Sequence, residues 1–386
     1  MDFQALRDKG IRFGIGITAG ASAAGLDAAV VRVKGGAPQL AIKLAKYKRF
    51  PFSPSLRTRL LSTRKEGTEL AALHFELGKF MAEAAQTMRD SANKELLDVD
   101  FIAVQGFTIG HASPRGGRKT IGTLSLGEPA LIVEQTGLPV ISDFRTRDMA
   151  AGGQGSLLSP YVDWLLFARE ERTVVRLHLG GLARLTVVTP ALENVMAFET
   201  GPCNIILDDA VQLLTSSNRL LDSDGAVAGK GVVIDEFLEF LLDHPYFQQV
   251  PPKTTSREEF SMDNYLRDAL GARRDHSLED LMATLTAAVA FSIIRAYSRF
   301  IKPQYQIARI ILSGGGAMNK TLRRQIKKGI PEPVHRISDD YKLPHDAYDA
   351  MTVAILGNET LLGKPGNAPH ATGARAPVIL GKISPP

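Results

Sequence analysis

The sequence predicts an α/β protein of two related halves with a cleft between them. Three observations predict it. A strand, a glycine-containing turn and a returning strand occur at residues 11–33 and again at 173–188. Segments with helical periodicity follow each hairpin. Glycine or small-residue turns sit at the ends of several strands, where open α/β sheets place their ligands.

The elements follow in chain order. Ile11 to Ile17 alternates as a strand, the small-residue loop Thr18 to Gly25 turns the chain, and Ala28–Val33 and Leu40–Tyr47 return as strands. Leu70, Leu73, Leu77, Phe80, Met81, Ala84 and Met88 place one apolar stripe on a long helix. Phe101–Val104 and Leu138–Ser142 read as strands, with a helix at Ala130–Gln135 that ends at Gly137. Thr173–Leu179, Gly180-Gly181 and Leu185–Val188 form the second hairpin. Helices are expected at Asn204–Leu214, Ile234–Leu242, Ser277 to about Phe300 and Asp346–Leu362, with a buried strand at Ala308–Leu312. Ser277 with Asp280 three residues on is a variant capping box. From Gly363 onward a Pro-, Gly- and Ala-rich tail is expected to wrap the surface.

Composition narrows the function classes. The 386 residues carry 46 Lys+Arg against 41 Asp+Glu, a formal charge of +5, with 44% apolar residues and one cysteine. These are the proportions of an ordinary globule, and a lone Cys203 excludes a disulfide scaffold or a Cys-rich zinc module. The densest basic run, Arg323 to Lys328, fits the polar face of a helix, so no nucleic-acid partner is expected. The most apolar stretch, Leu285–Ile294, falls short of the roughly 20 residues a bilayer needs, and the N-terminus has no apolar signal core. No membrane partner is expected, and a cytoplasmic protein is.

Two features could carry chemistry. Gly20, Gly180-Gly181 and Gly314-Gly315-Gly316 lie in turns whose backbone can approach an anion; converging, they would cradle a polyphosphate. No Gly-x-x-x-x-Gly-Lys-Ser/Thr loop is present. The segment Asp143 to Gly155 puts charges and then glycines directly after a strand. Asp148 there could accept a proton and Arg145 or Arg147 could orient an oxygen or a phosphate, or else the segment is a capped helix with surface arginines. His111 and His178 stand apart in sequence, and Cys203 has no accompanying base motif.

Asp143-Phe144-Arg145-x-x-Asp148-x-Ala150-Ala151-Gly152-Gly153-Gln154-Gly155 resembles the signature of the anhydro-N-acetylmuramic acid kinases and of their levoglucosan-phosphorylating relatives. Gly16–Asp27, Leu179-Gly180-Gly181, Thr200–Asn204, Asp222–Gly225, Pro252–Glu258 and Gly314–Asn319 resemble further family blocks in the same order. The resemblance implies a two-lobed actin-like, hexokinase-type ATPase fold, with residues 1–140 plus about 364–386 in one lobe and 141–363 in the other. It implies ATP and Mg²⁺ in a central cleft, and hydrolytic opening of a 1,6-anhydro ring coupled to phosphorylation of O6. Asp148 would match the base, and Arg145, Gln154 and Gly155 the sugar contacts. Gly20, Ser22, Gly180, Gly181, Gly201, Asn204, Gly314, Gly315, Gly316 and Asn319 would line the nucleotide, with Asp349 and Asp27 on the metal side. The resemblance also implies a homodimer.

The chain departs from this pattern in places. Ala19, Ala21 and Ala24 replace a Ser, a Thr and the metal-side Asp, and Asp349 stands where the family has Glu. His178 and Arg184 replace two Asn that bracket the glycine turn, and Ser156-Leu157 replaces Ala-Pro. A protein that binds nucleotide or sugar without transfer is the competing expectation.

Overall fold

A computed structural model describes residues 2–20, 22–62, 66–112, 121–168, 172–273, 275–344 and 346–386. The chain divides into two compact units, residues 1–166 with 346–386, and residues 167–345.

In the first unit, β1 (Ile11–Ala19), β2 (Gly25–Gly36) and β3 (Gln39–Pro51) form an antiparallel meander. β4 (Phe101–Gln105) then adds parallel to β1, β5 (Phe107–Ala112) and β6 (Gly122–Leu126) form a separate pair, and β7 (Val140–Ser142) adds parallel to β4. The sheet order is therefore β3-β2-β1-β4-β7, extended by the last strand, Lys382–Ser384, antiparallel to β7. The helix Gly67–Asn93 buries Leu73, Leu77, Met81, Ala84 and Met88 against one face, as the stripe predicted. The helix Ala347–Leu361 lies on the other. It sits so close that a Cβ on Gly16 would fall 1.9 Å from the carbonyl oxygen of Ala350, so only glycine fits that point of β1.

The second unit repeats the plan. β8 (Thr173–Leu179), β9 (Leu182–Val188) and β10 (Met196–Pro202) form an antiparallel meander, and β11 (Ile307–Ser313) and β12 (Val334–Arg336) add parallel beyond β8. The order β10-β9-β8-β11-β12 has the same connectivity and strand directions as β3-β2-β1-β4-β7. This duplication is the one expected of the actin-like ATPase fold. The helix Leu278–Phe300 forms the spine of the unit, and Ser277 Oγ accepts a hydrogen bond from the Asp280 backbone N–H, as the capping box predicted.

Three expectations are corrected. The division between units falls at 166 and 346, because β7 pairs with β4 and the helix Ala347–Leu361 packs on β1, β2 and β4. The apolar segment is longer than read: Leu278–Phe300 is long and apolar enough to cross a bilayer by length and composition. Yet 78% of its apolar window is buried inside the unit, as for a core helix. The tail is structural rather than superficial, for Asn367 and Thr372 are fully buried and Lys382–Ser384 completes a sheet edge.

Candidate active site

The helix Phe144–Ala150 starts directly after β7, and Asp148 lies in its last turn. Asp148 is 0% exposed. Its Oδ2 accepts from the Gly155 backbone N–H at 2.9 Å. Its Oδ1 accepts from Asn367 Nδ2 and from Thr372 Oγ1, both at 2.8 Å. Three neutral donors thus satisfy a carboxylate that burial would otherwise make very costly. A Cβ on Gly153 would fall 2.2 Å from Asp148 Oδ2, so the glycine run is what lets the loop fold over the carboxylate. Two backbone bonds fasten the same loop to the tail, Gln154 N–H to Thr372 O at 2.8 Å and Arg375 N–H to Ala151 O at 2.9 Å.

Asp148 ties the Gly152–Gly155 loop to the C-terminal tail, and its three donors fill three of a carboxylate's about four acceptor sites. Arg145 is half-buried on the same helix, and its backbone carbonyl oxygen would be 3.2 Å from a Cβ on Gly155. Gln154 is only 7% exposed, and its Oε1 is buried without a hydrogen-bond partner among the described residues. An orphaned buried acceptor in a glycine loop has the chemistry to take a hydroxyl donor from a ligand.

The second unit gathers most of the expected phosphate-side residues. The Gly180-Gly181 turn joins β8 to β9, and its carbonyls accept the N–H groups of Cys203, Asn204 and Ile205 at 2.9, 3.1 and 3.2 Å. The first N–H groups of the helix Asn204–Leu214 are therefore spent on the turn and do not themselves face a ligand. Asn204 Nδ2 donates to Leu179 O at 3.3 Å. A Cβ on Gly316 would lie 2.8 Å from Leu179 Cβ and 2.9 Å from Asn204 Oδ1, so the Gly314–Gly316 turn abuts the Gly180 turn and Asn204. Gly314 has φ +81° and a Cβ there would meet Leu179 O at 2.6 Å, which fixes glycine at that position. The absent Cβ atoms at Gly314 and Gly316 would meet protein atoms, so these glycines let the two turns pack on each other. Gly201 and Asn319 make other contacts. Gly201 packs on Phe247, while Asn319 Oδ1 caps the helix Lys320–Gly329 by accepting from the Leu322 N–H at 2.9 Å.

A polar row crosses the same end of this sheet. Strand register puts Ser313 opposite His178, His178 opposite Arg184, and Arg184 opposite Glu199, so the four side chains share one face. His178 Nδ1 lies 3.2 Å from Arg176 Nη2, which makes it the acceptor and leaves the ring proton on Nε2. Glu199 is 4% exposed; it accepts from the Thr255 N–H at 2.7 Å and from Arg184 Nη2 at 3.3 Å. Sequence reasoning misses Glu199 because β10 does not show as a strand, and nothing in Ala197-Phe198-Glu199 marks a buried acid. The signal that could have found it is its place two residues before Gly201-Pro202.

The metal side differs most from expectation. Gly20 and Ser22 lie exposed in the short turn from β1 to β2, with Ala24 exposed beside them; Ala21 lies outside the described residues. Asp27 is engaged. Arg49 donates to it from Nε at 2.9 Å and Nη2 at 3.0 Å, and Tyr47 from its hydroxyl at 2.5 Å. The hydrogen bond to Asp27 holds the Arg49 pKa above its ordinary value, and burial followed by the same bond raises that of Tyr47. Arg49 also reaches Asp346 at 3.4 Å. Mg²⁺ wants open oxygens, so Asp27 does not fit it, and the expected pair is reduced to Asp349, exposed on the first turn of the helix Ala347–Leu361. Among the described residues no three His, Cys, Asp or Glu side chains form a metal cluster. Burial, with Asp208 adding to it, pushes the Cys203 thiol up to about 12, so it is no nucleophile.

The family described as anhydro-N-acetylmuramic acid kinase matches residues 12–386. The anhydro-N-acetylmuramic acid kinase of Caldanaerobacter subterraneus subsp. tengcongensis is 38% identical over 385 residues, covering 97% of each chain. One from Bacillus cereus is 37% identical over 377 residues, covering 96% of this chain and 98% of its own. Among solved structures, the activator of the 2-hydroxyisocaproyl-CoA dehydratase from Clostridium difficile with bound ADPNP aligns with a TM-score of 0.42 at 12% identity, over 90% of this chain and 95% of that one. That last likeness is too distant to bear on function. Full-length identities of 37% and 38% and a family match over nearly every residue make the chain a member of the anhydro-N-acetylmuramic acid kinase family.

Proposed function

We propose that this protein is an ATP-dependent anhydrosugar kinase that opens a 1,6-anhydro ring with water and phosphorylates O6. The observation that carries this reading is the glycine surface of the second unit, where Gly180, Gly181, Gly314, Gly315 and Gly316 come together beside Asn204. When bound there, ATP supplies the phosphoryl group. The turns then act by close backbone approach and positioning, the usual means of promoting phosphoryl transfer.

In the first unit, Gln154 Oε1 accepts a sugar hydroxyl and Arg145 orients the sugar. Asp148 is the base in this reading. A carboxylate offers about four acceptor sites, and its three donors leave one with which to take a proton from water. Glu199 is held on one oxygen by the Thr255 N–H and on the other by Arg184, and takes no part in proton transfer here.

A second reading, binding without transfer, is favoured by one observation: Asp27 is locked to Arg49 and Tyr47 while Ala24 offers no oxygen. ADP release from ATP and Mg²⁺ with 1,6-anhydro-N-acetylmuramic acid or levoglucosan separates the two. Under the kinase reading, Asp148→Asn loses at least about a hundredfold in kcat, the scale of a general base. It also lowers the melting temperature, because its amide must face the Gly155 N–H or the Asn367 and Thr372 donors, so turnover is measured well below the midpoint. Nucleotide binding with no sugar-dependent ADP release would favour the second reading.

A further inference from the structure

Every donor that meets Asp148 is paired with it. Both of its oxygens, the Asn367 amide and the Thr372 hydroxyl all have partners. The segment immediately after it contrasts with that. Gln154 Oε1 and Ser156 Oγ are both shielded from solvent and have no hydrogen-bond partner among the described residues. The backbone beside them is bent unusually: Gly155 has φ +64° and Leu157, a buried non-glycine residue, has φ +59°. A side chain in the left-handed region is strained and persists only where its surroundings hold it. Two orphaned oxygens and a strained residue within four positions lower folding stability, beside a network that wastes no donor. Such strain and lost hydrogen bonding cluster where a ligand, rather than the fold, completes the site.

We propose that Ser156 is a substrate contact that sets which sugar is accepted. Its hydroxyl, together with Gln154 Oε1, takes two hydroxyls of a pyranose as the turn at 154–157 shifts to admit the ligand. Gln154 Oε1 can only accept, so it reads a donating hydroxyl; Ser156 Oγ both donates and accepts, so it reads a neighbouring hydroxyl in either role. The inference rests on the reading of this loop as the sugar side of a kinase. It adds a residue for which the family pattern has alanine, so Ser156 would distinguish this chain's sugar preference from that of its relatives.

The test is Ser156→Ala, with Ser156→Thr as the conservative control. Each is compared with the wild-type protein by thermal melting without ligand. Calorimetric binding and steady-state kinetics follow, with 1,6-anhydro-N-acetylmuramic acid and levoglucosan as probes. The proposal expects the alanine variant to melt at or above the wild-type temperature, since an unsatisfied hydroxyl is removed. Its sugar dissociation constant and KM should rise about three- to tenfold, the value of one hydrogen bond to a neutral group. The KM for ATP should not change, and threonine should restore most of the sugar affinity. A lower melting temperature would mean that Ser156 Oγ is satisfied in the free protein, and would overturn the proposal. So would unchanged sugar affinity in a wild type that binds sugar. A wild type that binds neither sugar would remove the functional reading and this proposal with it.

Discussion

Thr372→Val tests whether the C-terminal tail holds the glycine loop. Valine keeps the shape of threonine but removes the hydroxyl that donates to Asp148 Oδ1 at 2.8 Å and accepts from the Ala374 N–H at 3.3 Å. A hydrogen bond to a charged group contributes about 1.5–3 kcal/mol, and a buried donor left unpaired costs roughly 1–3 kcal/mol more. A loss of about 3 kcal/mol follows. The first unit has roughly 200 residues, for which each kcal/mol shifts the midpoint by about 2–4 °C. The transition of that unit should therefore fall by about 6–12 °C in differential scanning calorimetry. Loosening the loop should also raise the sugar KM about tenfold, as small misplacements of positioning groups do, and leave the ATP KM alone. A midpoint within about 2 °C of wild type would show that the tail does not bear on Asp148 and would refute the reasoning.

Other expectations follow from the same contacts. Gly316→Ala places a Cβ 2.8 Å from Leu179 Cβ and 2.9 Å from Asn204 Oδ1; pushing the two glycine turns apart should lower the melting temperature and weaken ATP binding by at least about tenfold in calorimetry. Asp27→Ala should lower the melting temperature by removing the acceptor of the Tyr47 hydroxyl and one of the two carboxylates on Arg49, yet leave the Mg²⁺ dependence of turnover unchanged, whereas Asp349→Ala should raise the Mg²⁺ requirement. Cys203, with its thiol pushed up to about 12, should not react with a disulfide reagent near pH 8 until the chain is unfolded. Burial, opposed by Glu259, lowers the His244 pKa, so its neutral form is the one the fold keeps. Its contribution is present above the unfolded value of about 6.5 and is lost as pH falls below it. Urea midpoints should therefore show the wild type losing more on acidification than His244→Asn.

Local patterns in the sequence reveal much of this molecule. The stripe from Leu73 to Met88, the cap at Ser277 and the helix start at Asn204 depend on neighbours within a few positions, and all three stand where periodicity and capping place them. The glycine turns are legible for the same reason. What cannot be read depends on distant partners. Two of the three donors to Asp148 lie 219 and 224 residues away, in a tail whose composition suggests a surface strap. The Arg49 that occupies Asp27 arrives through register in the β2–β3 hairpin, which composition does not encode. Glu199 sits in a strand whose small and polar residues break the usual alternation, so neither the strand nor its buried acid shows. The chain thus displays where its glycines turn, but not which carboxylates the fold leaves open.

The most direct measurement is mass spectrometry of the product formed from ATP, Mg²⁺ and 1,6-anhydro-N-acetylmuramic acid in isotopically heavy water. The account predicts a phosphorylated, ring-opened sugar carrying one solvent oxygen, and predicts that Asp148→Asn fails to form it. A phosphorylated sugar with the ring intact, or an Asp148→Asn variant as active as the wild type, would contradict the account.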